Sequence, residues 1–249
     1  MKGRWVRRIW SWHLWMGVAL LLPLLWWTAT ALVFSLWPIE AVRGTTLARS
    51  GASAPERLTA GPLPPAELMA GARSLRILPL QGRVLAVADH GDRTEVWDLA
   101  GPVRLGEVLP LEFALEAARR DLAAPQAPES AYLLGREGGA RRLLGQGPEH
   151  MTDPAEYAGP RPAYVLHYPG TTGLHLYVDA LDGQVRARRR TIWRVYDFAF
   201  RLHSFEFTAD GPKRAVQLAV CLLWLALGVT GSVMAWRRLR PSKGRHGPA

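Results

Sequence analysis

Histidine is the side chain of this protein with the greatest capacity for metal and cofactor chemistry, and one of its seven histidines lies in an unusual place. His13 stands inside a long uncharged run, where an ionisable residue is costly unless it is paired. Neutral imidazole binds haem iron well, and Gly17, one helical turn along, leaves room for a flat macrocycle or a helix. The alternative is structural, because His13 lies near Arg8 among tryptophans, as headgroup-interface residues do.

His203 is the second candidate haem ligand, since it lies about a dozen residues before a second apolar run. It follows a basic and aromatic stretch, residues 191–201, that suits a helix lying on the outer surface of a membrane, so it too has an interfacial interpretation. The two histidines are expected at opposite faces, so they cannot hold one iron within a protomer. Haem would need a dimer or a ligand from a partner.

The remaining side chains give no catalytic pattern. His90, His150, His167 and His175 have no metal-ligand spacing, and His167 and His175 fall on neighbouring predicted strands, where cross-strand pairing is a sufficient explanation. No H-E-x-x-H, G-x-S-x-G or P-loop motif is present, and the single cysteine, Cys221, lies in an apolar run. We expect no catalysis by the region between the apolar runs alone, and no disulfide.

Two charge-free runs predict two transmembrane helices. No charged residue occurs between Arg8 and Glu40 or between Arg214 and Arg237. A helix needs about 20 apolar residues to cross the hydrocarbon layer, so each run can hold one span. Tryptophans near the ends of both runs are typical interfacial anchors. The chain is therefore expected to contact the lipid bilayer, and we place the spans at residues 9–38 and 215–236.

The charge distribution argues against nucleic-acid binding, although the net charge is +10. Almost all of the excess lies in the two tails, 1–8 and 237–249, which contain basic residues and no acidic ones. The positive-inside rule then places both termini in the cytoplasm and the central domain outside, in the periplasm of a bacterial inner membrane. The cluster of arginines at 186–190 argues against this orientation, because it would place many basic residues outside the cytoplasm. Long loops, however, translocate largely regardless of their charge.

Two questions about the spans stay open. Arginines before an apolar run, followed by Ala29-Thr30-Ala31, also resemble a cleavable signal peptide, although the apolar run continues past the usual length and favours a retained anchor. Small residues that share one face of the second span predict close helix contact. The partner is either the first span, a copy in a homodimer or another membrane protein.

The central region predicts an α+β domain of two similar units. Residues 39–62 are rich in Ala, Gly, Ser and Pro and indicate a linker. Two units follow, at 63–108 and 109–190, and each begins with a helix, at 63–73 and 109–119, and continues with strands. An interfacial amphipathic segment, 191–214, leads to the second span.

Both units end in a similar hairpin pattern. Asp98 and Gly101 close the first, and Asp179 and Gly183 close the second, which is one residue longer. A strand that ends in Asp before a Gly turn is typical of a hairpin in which the carboxylate caps the turn.

The closing hairpin of the second unit and short motifs in both apolar runs resemble those of a known family. The closing segment 177–185 (YVDALDGQV) resembles the hairpin of the PepSY domain, V-D-A-x-T-G-x-V, with Asp182 in place of the usual Thr. Trp12-His13 to Gly17 is similar to the His-x-x-x-Gly opening of the PepSY-associated transmembrane family, and Leu202-His203-Ser204 and Thr230-Gly231 are similar to its D-L-H-R and T-G-x-x-x-W-x-R motifs. Ser204 departs from that pattern, and longer relatives have four spans where this chain has two.

The resemblance implies an α+β extracytoplasmic domain of two PepSY-like helix-plus-antiparallel-sheet units between two transmembrane helices. Two functions from different classes follow. One is a membrane-anchored binding or regulatory module that docks a partner outside the membrane. The other is a haem-binding membrane subunit for electron transfer in metal or siderophore reduction and iron uptake, which is implied by longer relatives that are ferric-siderophore reductases.

Overall fold

A computed structural model describes residues 2–50, 62–124, 126–151, 155–168, 170, 172–206 and 210–239. The chain divides into two compact units, and the larger of them is Pro38–Val195. The smaller unit contains both chain ends. Most of the predicted linker, residues 51–61, and most of the C-terminal tail lie outside the described residues.

The smaller unit is built on two long helices, α1 (Lys2–Leu36) and α6 (Asp210–Leu239). Their segments Arg7–Leu36 and Pro212–Leu239 are long and apolar enough to cross a membrane, which confirms the prediction of two apolar helices that flank a central domain. The helices pack together near Gly17, where an added methyl group would lie 3.9 Å from Leu227 Cδ1. Helix α5 (Thr191–His203) ends in this unit and α6 follows it.

Residues 38–50 are ordered, although their composition predicts a linker. They form helix α2 (Ile39–Arg43) and a short 3-10 helix (Thr45–Leu47), and the side chain of Val42 is 1% exposed. At Gly44 the chain turns with φ +72°, and an added Cβ would lie 2.8 Å from Arg188 Cβ. A glycine is therefore required at this close approach.

The first sheet has four antiparallel strands in sequential order. Their bounds are β1 (Ser74–Leu80), β2 (Arg83–Asp89), β3 (Thr94–Asp98) and β4 (Val103–Gly106). The helix before them, α3 (Ala66–Met69), is shorter than the predicted helix over 63–73. Prolines 64 and 65 delay its start, Ala70 is already extended, and Gly71 turns with φ +76°.

The second sheet has six antiparallel strands, in the order β10-β9-β8-β5-β6-β7, and helix α4 (Leu111–Asp121) precedes it in the chain. The strand bounds are β5 (Ser130–Leu134), β6 (Ala140–Gly145), β7 (His150–Met151), β8 (Ala163–His167), β9 (His175–Asp179) and β10 (Val185–Arg189). Sequence analysis missed β6 and β7. β6 is mostly exposed and includes two arginines, so it lacks the alternation that marks a half-buried strand.

Helix α4 contributes to two hydrophobic cores. Ala114 and Ala118 pack with Leu166, Leu176 and Val178 on one face of the second sheet. Phe113 is the neighbour of Ala114 in the chain, and it packs instead with residues of the first sheet, Leu85, Val87 and Val96. Consecutive helical residues point about 100° apart, so one helix can fill both cores. The first and second units of the sequence therefore share this helix.

We expect Phe113→Ala to destabilise the central domain by about 3–5 kcal/mol, because it removes a buried ring and leaves a cavity between α4 and the first sheet. Pulse proteolysis of the full chain in detergent, as a function of urea, measures this change. The matched control is Val103→Ala, since Val103 is 57% exposed. That control should shift the transition by no more than about 0.5 kcal/mol. Equal effects of the two substitutions would contradict the shared core.

Candidate functional site

His13 lies between the two long helices and has a polar partner there. Its Nδ1 is 2.9 Å from Thr230 Oγ1 on α6. The imidazole also packs directly on Gly231, where an added Cβ would lie 3.1 Å from His13 Cε1. The Thr-Gly pair of α6 therefore supplies both a hydrogen bond and the space for the ring, since a larger residue at 231 would push the ring away.

His203, at the end of α5, has a similar environment at the other end of α1. Its Nδ1 is 2.8 Å from Thr30 Oγ1, and its backbone carbonyl accepts a hydrogen bond of 2.9 Å from Trp27 Nε1. The ring stacks on Trp27, with 5.3 Å between ring centroids, and meets Phe34 edge-on at 5.2 Å. Carbonyl groups in the last turn of a helix have no N–H donor within the helix, and the His203 carbonyl is one of these. The indole of Trp27 supplies the missing donor and so caps α5.

The hydrogen bonds of the two threonines determine which nitrogen of each histidine has the proton. Thr230 Oγ1 donates to Ala226 O at 2.8 Å, and Thr30 Oγ1 donates to Trp26 O at 3.0 Å. Each hydroxyl has only one proton, so Nδ1–H of the histidine donates to the hydroxyl oxygen. The opposite tautomer would leave an Nε2–H without an acceptor among the described residues. Nε2 of both His13 and His203 therefore keeps a free lone pair.

A free Nε2 lone pair is the chemical requirement for binding a metal through imidazole, and a hydrogen bond at Nδ1 is its usual companion. The two sites do not converge, however. His13 is a residue of α1, and His203 contacts the same helix at Thr30. Residues 13 and 30 are about 26 Å apart along a helix that rises about 1.5 Å per residue. Among the described residues no three metal-ligating side chains come together. Within one chain each histidine can offer a haem one axial ligand, and the described residues do not form a bis-histidine pocket.

Thr230→Val should change the tautomer of His13, because valine keeps the shape of threonine and removes the acceptor for Nδ1–H. We expect the imidazole ¹⁵N chemical shifts of His13, measured in ¹⁵N-histidine-labelled protein, to move towards a mixture of tautomers. Thr230→Ser keeps the hydroxyl and should retain the wild-type shifts, and Thr30→Val should affect His203 alone. Identical ¹⁵N shifts in wild type and in Thr230→Val would contradict this assignment.

The two predicted hairpin aspartates act in turns and ion pairs. Asp98 Oδ1 accepts the backbone N–H of Ala100 at 3.0 Å, and its other oxygen accepts Arg83 at 3.0 Å. Asp179 Oδ1 accepts the N–H of Leu181 at 2.8 Å, and Arg186 binds its other oxygen at 3.0 Å. Each aspartate ends a strand that pairs with a following strand. Their carboxylates are occupied by these partners and cap the turns.

The two hairpin glycines differ. Gly183 has φ +68°, and an added Cβ would lie 2.8 Å from Leu80 Cδ2, so glycine is required by both conformation and space. Gly101 has no atom within 4 Å of an added Cβ and its φ is not positive. The second turn also contains Asp182, which is buried and pairs with Arg186. Burial raises the pKa of the Asp182 carboxyl.

Sequence analysis missed a polar cluster on the second sheet, centred on Glu156. Its carboxylate accepts hydrogen bonds from His175 Nδ1 at 2.5 Å, from the Tyr177 hydroxyl at 2.7 Å and from Arg194 Nε at 2.7 Å. Burial alone would raise the pKa of Glu156, but these three donors outweigh it and lower the pKa to about 2. No motif signals the cluster, because Glu156 comes from an irregular segment far from its partners in sequence.

His167 extends this cluster. It is opposite His175 in the register of β8 and β9, and the two rings stack with 3.9 Å between centroids. Its Nδ1 is 3.3 Å from Ser130 Oγ, and its buried Nε2 has no hydrogen-bond partner among the described residues. Burial and the neighbouring His175 lower the pKa of His167 to about 4, although Glu156 acts in the opposite direction and Arg194 adds to the lowering. His167 is therefore neutral at neutral pH.

The depressed pKa of His167 predicts acid sensitivity. Between about pH 6.5 and 4 the unfolded chain binds a proton at this histidine and the folded chain does not, so stability falls as the pH falls through this window. Allowing for solvent screening, we expect a loss of about 1–2 kcal/mol, and His167→Gln should remove it. Urea unfolding at pH 7 and pH 4.5 measures the difference. The control, His150→Gln at an exposed position, should keep the wild-type pH dependence, and an equal loss in His167→Gln would contradict the prediction.

The comparisons with known proteins give one match. A family model described as "PepSY-associated TM region" matches residues 1–238. This match includes both long helices and the central domain. No curated protein and no solved structure matches the chain.

Proposed function

The chain belongs to the PepSY-associated TM region family, and on that premise we propose that it is a membrane-anchored PepSY-type binding or regulatory module. The family and the two apolar helices make it an integral membrane protein in contact with lipid. In this proposal its central domain, made of two PepSY-like units, lies outside the bacterial inner membrane and both termini lie in the cytoplasm. The domain then docks a partner protein or peptide.

The observation that supports the proposal is that the buried charges of the central domain are paired internally while several of its large apolar side chains are exposed. Its buried aspartates are neutralised internally, as in the pairs Asp98–Arg83, Asp179–Arg186 and Asp121–Arg188. Several large apolar side chains are exposed instead. They are Leu63, Met69, Ile77, Val103, Leu143 and Leu144. In this proposal the exposed apolar side chains are available to contact a partner, because the buried carboxylates already have partners within the domain.

The orientation rests on charge. The N-terminal tail and the residues that follow the second span are basic and contain no acidic residue, as the positive-inside rule expects of cytoplasmic flanks. The contacts of α1 with α6 at His13 and Gly17 also favour a retained first helix over a cleaved signal peptide, because cleavage would leave Thr230 and Gly231 without their partner.

One observation favours the second candidate function, a haem-binding subunit for electron transfer. Thr30 and Thr230 leave Nε2 of His203 and His13 free to act as ligands. Each site would need a second ligand from another chain, so haem binding would require a homodimer or a membrane-protein partner. We rank this candidate second because the described residues of one chain supply only one of the two axial ligands at each site.

A single-cysteine experiment tests the module. With Cys221 replaced by Ser, Glu137→Cys and Val103→Cys place thiols on exposed positions of the central domain. A membrane-impermeant maleimide photo-crosslinker applied to spheroplasts should label both thiols and give a discrete adduct of higher mass after illumination. Ser242→Cys, in the C-terminal tail, should not be labelled. Labelling of that tail in intact spheroplasts would contradict the orientation.

The histidine variants separate the two functions. In the anchored-module proposal the cross-linked adduct survives in the double variant His13→Ala, His203→Ala and is lost in Val165→Asp, which places a charge in the core of the second sheet. The protein purified after growth with excess haem should be colourless. A Soret band that disappears in the double variant, together with loss of the adduct, would favour the haem-binding subunit instead.

A further inference from the structure

The end of the helix pair where α1 begins and α6 ends has a dense positive charge without a counter-ion in the protein. Residues 1–8 and 237–249 together contain nine basic residues and no acidic one. Four arginines of this end have described, exposed side chains, and none of the four is in an ion pair among the described residues. They are Arg7, Arg8, Arg237 and Arg238. The central domain differs, since an arginine such as Arg188 there has a carboxylate partner.

The contact between α1 and α6 brings these arginines to one level. His13 lies opposite Thr230, and Gly17 meets an earlier residue of α6, so the two helices run antiparallel. Arg8 comes five residues before His13, and Arg237 comes seven residues after Thr230. At about 1.5 Å per residue they lie about 8 and about 11 Å beyond the contact. Seven residues are almost two full turns, so Arg237 lies on the face of α6 that meets α1.

The start of α1 adds to the positive charge at this end. Lys2 and Arg4 stand in its first turn, and no acidic residue does. The N-terminal N–H groups of a helix have a partial positive charge, so basic residues there are unfavourable. An anion bound at this end would relieve the repulsion, and free N–H groups at the start of a helix are suited to bind one.

Exposed tryptophans place this end at the level of the lipid headgroups. Four of them are at least 63% exposed, and they are Trp5, Trp12, Trp15 and Trp236. Indoles near the ends of a span typically lie at the headgroup level. Arg7 comes shortly after Trp5, and Arg237 directly follows Trp236, so their guanidinium groups lie where lipid phosphates are found.

The opposite end of α6 is different. It also begins with two consecutive basic residues, Lys213 and Arg214, but an acidic side chain lies beside them. Lys213 Nζ is 3.4 Å from Glu206 Oε1. The same helix therefore has one basic pair with a counter-ion in the protein and one, Arg237 and Arg238, without any among the described residues.

We propose that the basic end of the helix pair binds the phosphate of an acidic phospholipid such as phosphatidylglycerol, whose acyl chains lie against the apolar faces of α1 and α6. The two apolar helices already contact lipid, so this ligand is continuous with an interface that the protein has. Clusters of basic residues beside a span attract acidic headgroups, and arginine binds phosphate oxygens through two parallel N–H groups. The proposal does not depend on what the central domain docks or on which leaflet contains this end.

Native mass spectrometry of the full chain in detergent, titrated with phosphatidylglycerol or with phosphatidylcholine of the same acyl chains, tests the proposal. We expect the wild type to bind phosphatidylglycerol more tightly. The double variant Arg237→Gln, Arg238→Gln should bind phosphatidylglycerol about 30-fold more weakly, because each basic residue near an acidic headgroup contributes about fivefold, and should bind phosphatidylcholine as before. Arg7→Gln, Arg8→Gln should have the same effect, and it tests the site if the first double variant fails to fold.

The matched control is the double variant Lys213→Gln, Arg214→Gln, which removes the same charge from the other end of the same helix. It should keep the wild-type preference for phosphatidylglycerol. Far-UV circular dichroism checks that the helices of each variant are formed. Glycerol phosphate should not displace the bound lipid at equal concentration, since it lacks the acyl chains. Equal losses in the two α6 double variants, displacement by glycerol phosphate, or a wild type without preference between the two lipids would overturn the proposal.

Discussion

A polar group inside an apolar helix pair must find its partner within the protein, and the arrangement of α1 and α6 follows from that constraint. His13 is partly buried against α6, where its Nδ1 donates a hydrogen bond to Thr230, and the Thr230 hydroxyl donates its own hydrogen bond to a carbonyl of its helix. Gly231 lets the ring approach closely enough for this bond. This hydrogen bond and this close approach hold His13 against the Thr230–Gly231 segment of α6.

In the central domain several buried polar groups are carboxylates, and they are satisfied by arginines and by backbone N–H groups. Asp179 and Asp98 end strands where the chain must reverse, and each binds a backbone N–H of its turn and an arginine. Glu156 does more, because it ties an irregular segment to strand β9 through two donors and to Arg194 through a third. Buried carboxylates of this kind are stable only when nearly every lone pair is satisfied. Arginines that look like an unbalanced basic run in sequence, such as Arg186 and Arg188, therefore have internal partners.

The sequence predicts those features that depend on local patterns. Charge-free length predicts the two long helices, and most strands follow from apolar alternation between Gly and Pro turns. β6 has no such signal because exposed arginines hide its alternation. The helix predicted at 63–73 is shorter in the structure because Pro64 and Pro65 delay its start and Ala70 is already extended. The Glu156 cluster has no local signal, since it joins residues that are far apart in sequence. Thr30 stands within an apparent cleavage motif, and only the structure pairs it with His203.

The chain thus places histidines against two different kinds of partner, and the environment explains the difference. His175 donates to a carboxylate, which is acceptable because Arg194 and solvent balance that charge. His13 and His203 donate to threonines, whose hydroxyls fix the same tautomer without bringing a charge between apolar helices. A carboxylate in place of Thr230 would impose a large desolvation cost on the span. The hydroxyl is therefore the partner that lets an imidazole lie in this helix pair with its Nδ1 hydrogen-bonded.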